Sequence, residues 1–366
     1  MHAGEGWGRE DTLPCMRHLS RRLFVVSLLL INALARTAAM AQKTADGDQQ
    51  FAELGACKLV SGQQIDGCRL GYRTWGKLNA DGLNAVLVPS WFGGASNVFG
   101  VVVGPDKMVD PERYFVIAVD ALGNGVSSSP SNSKTQPGPA FPAITIRDMV
   151  NAEYRLATET LHLKHLHAVV GISMGGMQTF DWMVDYPNFM DVAIPIIGSP
   201  RASSRDLLVY QSIADAIRAD PAYRQGKYES KPPVPAAQRI SMMNITTPAN
   251  FVHTTPRDKF AETYAANDER GILPADANDF LWQMEAMIHN DAANGGSMED
   301  AAKRVKARVF VVVSAQDHMV NPTPALEFAP LVGAKTLTID SECGHMGFLC
   351  DAATVNPAVR GFLDGK

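Results

Sequence analysis

Beyond its first forty residues the chain has no uninterrupted apolar run near the roughly 18 residues that suggest a membrane-spanning helix, so an integral membrane protein is not expected. Positive charge is never concentrated. The 33 Lys and Arg are scattered, no basic block is longer than the pair Arg21-Arg22, and 38 acidic residues leave a net charge of −5. Nucleic acid is therefore not an expected partner, because phosphate recognition needs a clustered positive footprint. The 30 glycines and 22 prolines among 366 residues are too few for a collagen-like or low-complexity chain. Cysteine is scarce, at five, and none has the close spacing of a zinc knuckle.

What is present is an ordinary globular balance of 46% hydrophobic and 19% charged residues. The length suits two domains, or one large α/β domain with an insertion. The first forty residues are a different object. Arg17, Arg21 and Arg22 precede the apolar run Leu23–Ile31, and small residues follow up to Ala39-Met40-Ala41. That three-part order reads as a signal peptide over 1–41, hence a periplasmic or secreted protein with no stable membrane insertion after cleavage. Ser20–Val25 also resembles a twin-arginine signal. Glu5, Glu10 and Asp11 are unusual at the start of a leader, and Met16 would open a cleaner one.

In an oxidising compartment Cys57 with Cys68, and Cys343 with Cys350, form two local disulfide candidates; reduced structural cysteines are the alternative. Along residues 42–199 the segments Cys57–Val60, Gly62–Ile65 and Cys68–Trp75 alternate as a β-meander. Short, wholly apolar runs follow at Ala85–Val88, Tyr114–Val119, His167–Val170 and Val192–Ile197, and resume over 303–366 at Val309–Val313 and Thr336–Ile339. Such runs are expected of parallel strands covered on both faces. Helical patterns at Ile146–Leu161, Met174–Asp185 and Pro324–Pro330 separate several of them. The order predicts a mostly parallel, doubly wound α/β sheet. Residues 200–302 break the rhythm with helical patterns at Asp206–Ala219, Arg257–Ala266 and Ala277–His289 around the proline-rich Lys231–Pro235, and read as a helical lid insertion.

Gly171-Ile172-Ser173-Met174-Gly175 matches G-x-S-x-G between an apolar strand and a helix, where a sharp turn lifts a serine nucleophile clear of the sheet. A serine needs a base, and the base needs an acid to fix its tautomer. In the α/β-hydrolase fold they follow in the order Ser, acid, His at strand ends, which selects Asp317 and His345, with Asp340 as the rival acid. The backbone N–H of Met174 is one expected oxyanion donor; the other is assigned to Phe92, with Trp91 as alternate, in the loop Pro89–Gly94. His165 and His167 could be read as a metal pair, but no carboxylate is placed to complete it, so no metal is assigned.

These residues carry a resemblance. Gly71–Asn79 (GYRTWGKLN), Ile144–Met149 (ITIRDM), Val170–Gln178 (VGISMGGMQ), Asp276–Asn278 and Gly344-His345 resemble the homoserine O-acetyltransferase family of the α/β-hydrolase superfamily. The resemblance implies acyl transfer from a coenzyme A thioester to a hydroxyl through a seryl intermediate, with hydrolysis in some relatives, and the triad Ser173, Asp317, His345. It also implies an Arg in the lid that binds the substrate carboxylate, here Arg239, and an Asp after the catalytic His that holds the amino group, where this chain has Met346.

Coenzyme A is not expected outside the cytoplasm, and with Met346 this favours hydrolysis of a small ester over acyl transfer. No cofactor is implied; an acyl-CoA enters only as co-substrate of the transfer reaction. A non-catalytic binding scaffold is the third reading, and an intact Ser-Asp-His set argues against it. Homodimerisation stays open at this level.

Overall fold

The computed structural model describes residues 46–270 and 276–366. The leader expected over 1–41 lies outside the described residues. Two antiparallel strands, β1 (Gln50–Lys58) and β2 (Gln64–Trp75), form the opening hairpin, and the Cys57–Cys68 disulfide ties them. Then come β3 (Ala85–Pro89), β4 (Phe115–Val119), β5 (Leu166–Ile172), β6 (Met190–Ile196), β7 (Arg308–Ser314) and β8 (Lys335–Ile339). They join in the order β1-β2-β4-β3-β5-β6-β7-β8, antiparallel from β1 to β4 and parallel from there to β8.

The unbroken apolar runs follow from this position. Leu87, Ile117, Val169 and Val311 enter one buried layer, while Val86, Val88, Val116, Val170 and Val312 enter the other. Side chains alternate between faces with a period of two, so a strand covered on both sides must be apolar throughout. β8 departs from that expectation: only its last residue, Ile339, is buried, because this strand is the sheet's edge.

Helices α1 (Ile146–Arg155) and α2 (Met174–Asp185) pack against each other and deliver chain to and from β5. A capping box between Thr145 and Asp148 starts α1. The pattern over Ile146–Leu161 suggests one continuous helix, but after Arg155 the turn widens and Leu161 N–H donates to the Leu156 carbonyl five residues back. Between β6 and β7 the described residues form α3 (Ser204–Ala219), α4 (Pro235–Ile245), α5 (Pro248–Thr254), α6 (Phe260–Arg270), α7 (Ala277–Ile288) and α8 (Met298–Arg304). Gln283 of α7 donates to the Leu122 carbonyl and accepts from Gly93 N–H, fastening these helices to the loops that follow β3 and β4. The chain ends with α9 (Thr323–Leu331), α10 (Gly347–Cys350) and α11 (Ala352–Leu363).

Trp182, fully buried on α2, donates its indole N–H to Glu153 of α1 at 2.7 Å. Burial pushes the Glu153 carboxyl up to about 8 and that of Asp181 up to about 7, against ordinary values of 4.5 and 3.8. Each folded value lies above the unfolded one, so their contribution to stability is complete below about pH 4 and is lost as pH rises through the folded values. Tm is therefore expected to fall between about pH 5 and 8. Glu153→Gln should flatten that decline; a Tm profile parallel to that of the unsubstituted protein in thermal unfolding would contradict the assignment.

Candidate active site

β5 ends at Ile172 and α2 begins at Met174, leaving Ser173 alone in the turn with φ 59° and ψ −121°. A left-handed φ is costly for a residue with a side chain and persists only where its surroundings over-determine it. Here they do. A Cβ on Gly171 would lie 1.9 Å from the Gly175 carbonyl oxygen, and one on Gly175 would lie 2.5 Å from that of Pro89. Only glycine lets the strand, the helix and the end of β3 approach this closely. Ser173 N–H donates to the Ile196 carbonyl at 2.9 Å, and the Gln178 amide donates to the carbonyls of Ser90 and Met174.

His345 lies in a single helical turn after β8, and Asp317 in the loop after β7. His345 Nε2 stands 2.9 Å from Ser173 Oγ, and its Nδ1 stands 2.7 Å from Asp317 Oδ2. The other oxygen, Asp317 Oδ1, accepts the backbone N–H groups of Met319 and Val320. The carboxylate is thus fixed as an acceptor toward the ring. Nδ1 then carries the proton and Nε2 is left to accept from serine. All three side chains are buried.

The rival acid is elsewhere. Asp340 is exposed and accepts from Gln316. His165 pairs with Asp191 and His167 with the Leu363 carbonyl, so the two rings use Nε2 for separate partners. Phe92 and Trp91 line the cavity beside Ser173, with Phe92 edge-on to Phe280 and Trp91 stacked on Phe99. In the turn they begin, Gly93 N–H is taken by Gln283 and Gly94 N–H by the Trp91 carbonyl. Met174 opens α2, where first-turn N–H groups have no intrahelical acceptor.

The cavity measures about 290 Å³ and is lined by Ile172, Met284, Met287, Met319 and Phe348 among others, with Met346 on the same wall as His345. Ser241 and Ile245 of α4 and the two methionines of α7 close it from the insertion side. Among the described residues that line it there is no Asp, Glu, Lys or Arg.

Arg239, expected as a substrate ligand, does not line this cavity. It borders a separate groove with Met242, Met243 and Thr246, and its guanidinium lies over Tyr264, 4.1 Å from the ring centroid. Helical geometry is the reason. At about 100° per residue, Ser241 and Ile245 project roughly 120–160° away from Arg239 and about 160° away from Met243.

Several residues that build the site carry no motif. Gln283 meets Gly93 across 190 positions. Asp206, at the start of α3, accepts from Asn321 N–H in the loop that bears Asp317, and burial pushes its carboxyl up, with Asp317 nearby adding to the shift. Asp120, at the end of β4, accepts from Ser96 and Asn124 and so braces the loop after β3. Of these supports only Gln178 fell within a recognisable motif.

Comparison with known proteins agrees with this architecture. A family model described as alpha/beta hydrolase fold matches residues 86–352. An ethyl acetate hydrolase of Pseudomonas veronii is 31% identical over 314 residues, covering 82% of this chain and 90% of that protein. A homoserine O-acetyltransferase of Trichormus variabilis is 30% identical over 326 residues, covering 83% and 90%. The solved structure of the acetyl esterase MekB superposes with a TM-score of 0.80 at 30% identity, over 87% of this chain and 96% of that one. With its strand order, its serine turn and these relatives, the chain belongs to the α/β-hydrolase fold family, in the branch that holds acetyl esterases and homoserine O-acetyltransferases.

Proposed function

We propose that this protein hydrolyses small, neutral carboxylic esters through a seryl acyl-enzyme. The observation that carries the reading is the uncharged lining of the cavity into which Ser173 and His345 open. In this mechanism His345 Nε2 takes the proton of Ser173 Oγ as the oxygen attacks the ester carbonyl. The N–H groups of Met174 and Phe92 receive the developing oxyanion. His345 returns the proton to the departing alcohol, leaving an acyl-serine. A water molecule, deprotonated by the same nitrogen, attacks the acyl carbon; the proton passes back to Ser173 and the carboxylic acid leaves. Asp317 holds the Nδ1 proton throughout and balances the imidazolium.

Acyl transfer to homoserine is the second reading, favoured by the named transferases among the relatives. The ammonium of homoserine would need a charged partner in a site closed to water, since an unpaired buried charge costs several kcal/mol. Met346 offers no negative charge for it, and Arg239, the residue expected to meet the carboxylate, borders the other groove. Export to an oxidising compartment belongs to the same proposal, supported by the leader pattern and by two disulfides.

Ser173→Ala should abolish fluorophosphonate labelling and ester turnover. Asp317→Asn should lower kcat by on the order of 10⁴ through the wrong imidazole tautomer, whereas Asp340→Asn should leave it within about twofold, as for an ordinary surface change. The reverse ranking in steady-state assays would displace Asp317.

Homoserine with acetyl-CoA should yield negligible O-acetylhomoserine while a simple acetate ester is cleaved. Met346→Asp should raise the homoserine reaction, measured by product chromatography. Efficient transfer by the unsubstituted protein would overturn the preference for hydrolysis.

Protein recovered from its native compartment should begin near Gln42. Intact mass reports this, and a retained leader would refute cleavage.

A further inference from the structure

We propose that the Cys343–Cys350 disulfide is a positioning device for His345 and for one wall of the substrate cavity, so that turnover depends on the oxidation state of this one pair. The inference rests on the reading of His345 as catalytic base. The bond closes a short loop between residues seven positions apart, and within it lie His345, Met346, Phe348 and Leu349, all of which line the cavity. One covalent link thus encloses the base and three apolar wall residues.

The loop is also tightly seated. Gly344 has φ +58°, and a Cβ there would come within 3.1 Å of the Gln316 carbonyl oxygen, beside Asp317, and 3.3 Å of Thr246 at the end of α4. Thr247 grips the loop from the insertion side, with both its N–H and its hydroxyl donating to the Glu342 carbonyl. The Asn250 amide reaches Cys343 Sγ at 3.8 Å. A helical turn as short as Gly344–Met346 has little stability of its own, since so few hydrogen bonds repay its ordering. The cross-link removes much of the freedom the loop would otherwise recover.

The two disulfides differ in access. Cys57 and Cys68 are buried at 5% and 0% exposure, whereas Cys350 is exposed. An external dithiol therefore reaches the His345 loop first. Its thiolate attacks Cys350 Sγ, the Cys343 thiolate departs, and the second thiol of the reductant resolves the mixed disulfide. Two electrons and two protons pass to the protein, leaving two cysteine thiols and an oxidised, cyclic reductant. Freed of the link, His345 loses its register against Ser173, and a displacement of about 1 Å costs on the order of 100-fold in rate.

The test titrates the full-length oxidised protein with dithiothreitol, maps opened cysteines by alkylation and mass spectrometry, and follows hydrolysis of 4-nitrophenyl acetate and fluorophosphonate labelling of Ser173. The expected result is a fall in kcat of about tenfold or more that tracks alkylation of Cys343 and Cys350, a higher KM from the loosened wall, and recovery on reoxidation. Cys343→Ser with Cys350→Ser should reproduce the low kcat and be insensitive to dithiothreitol. Cys57→Ser with Cys68→Ser should lose Tm but keep kcat.

Turnover unchanged in protein alkylated at Cys343 and Cys350 would overturn the proposal, as would a loss that follows only global collapse of the near-ultraviolet circular dichroism. Reversible reduction of the unsubstituted chain decides the matter even where the double serine variant fails to fold. Turnover that survives Ser173→Ala would instead refute the serine mechanism. Turnover lost in Ser173→Ala but indifferent to opening of the loop would refute only the positioning role.

Discussion

The turn at Ser173 is the constraint on which the remaining architecture depends. Its backbone is held left-handed at φ 59°, a conformation that costs about 1 kcal/mol or more and has to be balanced by contacts elsewhere. The balance comes from close backbone approaches that only glycine permits. Gly171 lies against Gly175, Gly175 against the end of β3, and Gly176 against Gly198 after β6. Because β3, β5 and β6 converge on one point, the loop bearing Trp91 and Phe92 stands next to the serine without reaching for it. Gln178 completes the junction by joining the Ser90 and Met174 carbonyls. A side chain at Gly171 would therefore drive β5 away from α2, and one at Gly175 would drive α2 away from the end of β3.

The same geometry explains what the cavity accepts. Among the described residues that line it, the sheet supplies Ser173, Ile172 and the loops at its carboxyl edge, and those opposite come from α4 and α7. The helical period divides α4 into two faces, so Ser241 and Ile245 turn toward the serine while Arg239 turns away. Met284, Met287, Met319 and Met346 surround the remaining space with flexible thioethers, which adapt to the shape of an apolar group more readily than to a fixed charge. The surroundings of the serine are set by the sheet; the opposite wall of the cavity is set by helix faces.

That division also marks how far the sequence could be read. The strands were legible because burial on both faces leaves an unbroken apolar run, and the edge strand β8 was overread because an edge relaxes that demand. Ser173, Asp317 and His345 were legible because strand ends and chain order constrain them, and the two local cysteine pairs because proximity in sequence limits their partners. Arg239 lies away from the cavity that Ser173 opens into, because a resemblance fixes a position along a helix but not which face of the helix lines a given cavity. Asp206 and Gln283 had no signal at all. Their partners, Asn321 and Gly93, are brought to them only by tertiary packing across 115 and 190 positions.

The insertion is consequently more than a cover laid over a finished site. Asp206 begins α3 as half of a capping box with Ser203, and its other carboxylate oxygen holds Asn321 N–H in the loop that carries Asp317. Thr247 begins α5, accepting from Asn250 N–H as a cap while donating its own hydroxyl proton to the Glu342 carbonyl, three residues before His345. In both cases a helix start between β6 and β7 is also a hydrogen-bond partner of the loop that bears Asp317 or His345. Asp317 and His345 are thus each in a loop braced from the side of these helices. Lifting these helices to admit a large substrate would loosen both loops together, so the arrangement is suited to substrates small enough to enter a cavity of about 290 Å³ while its walls stay in place.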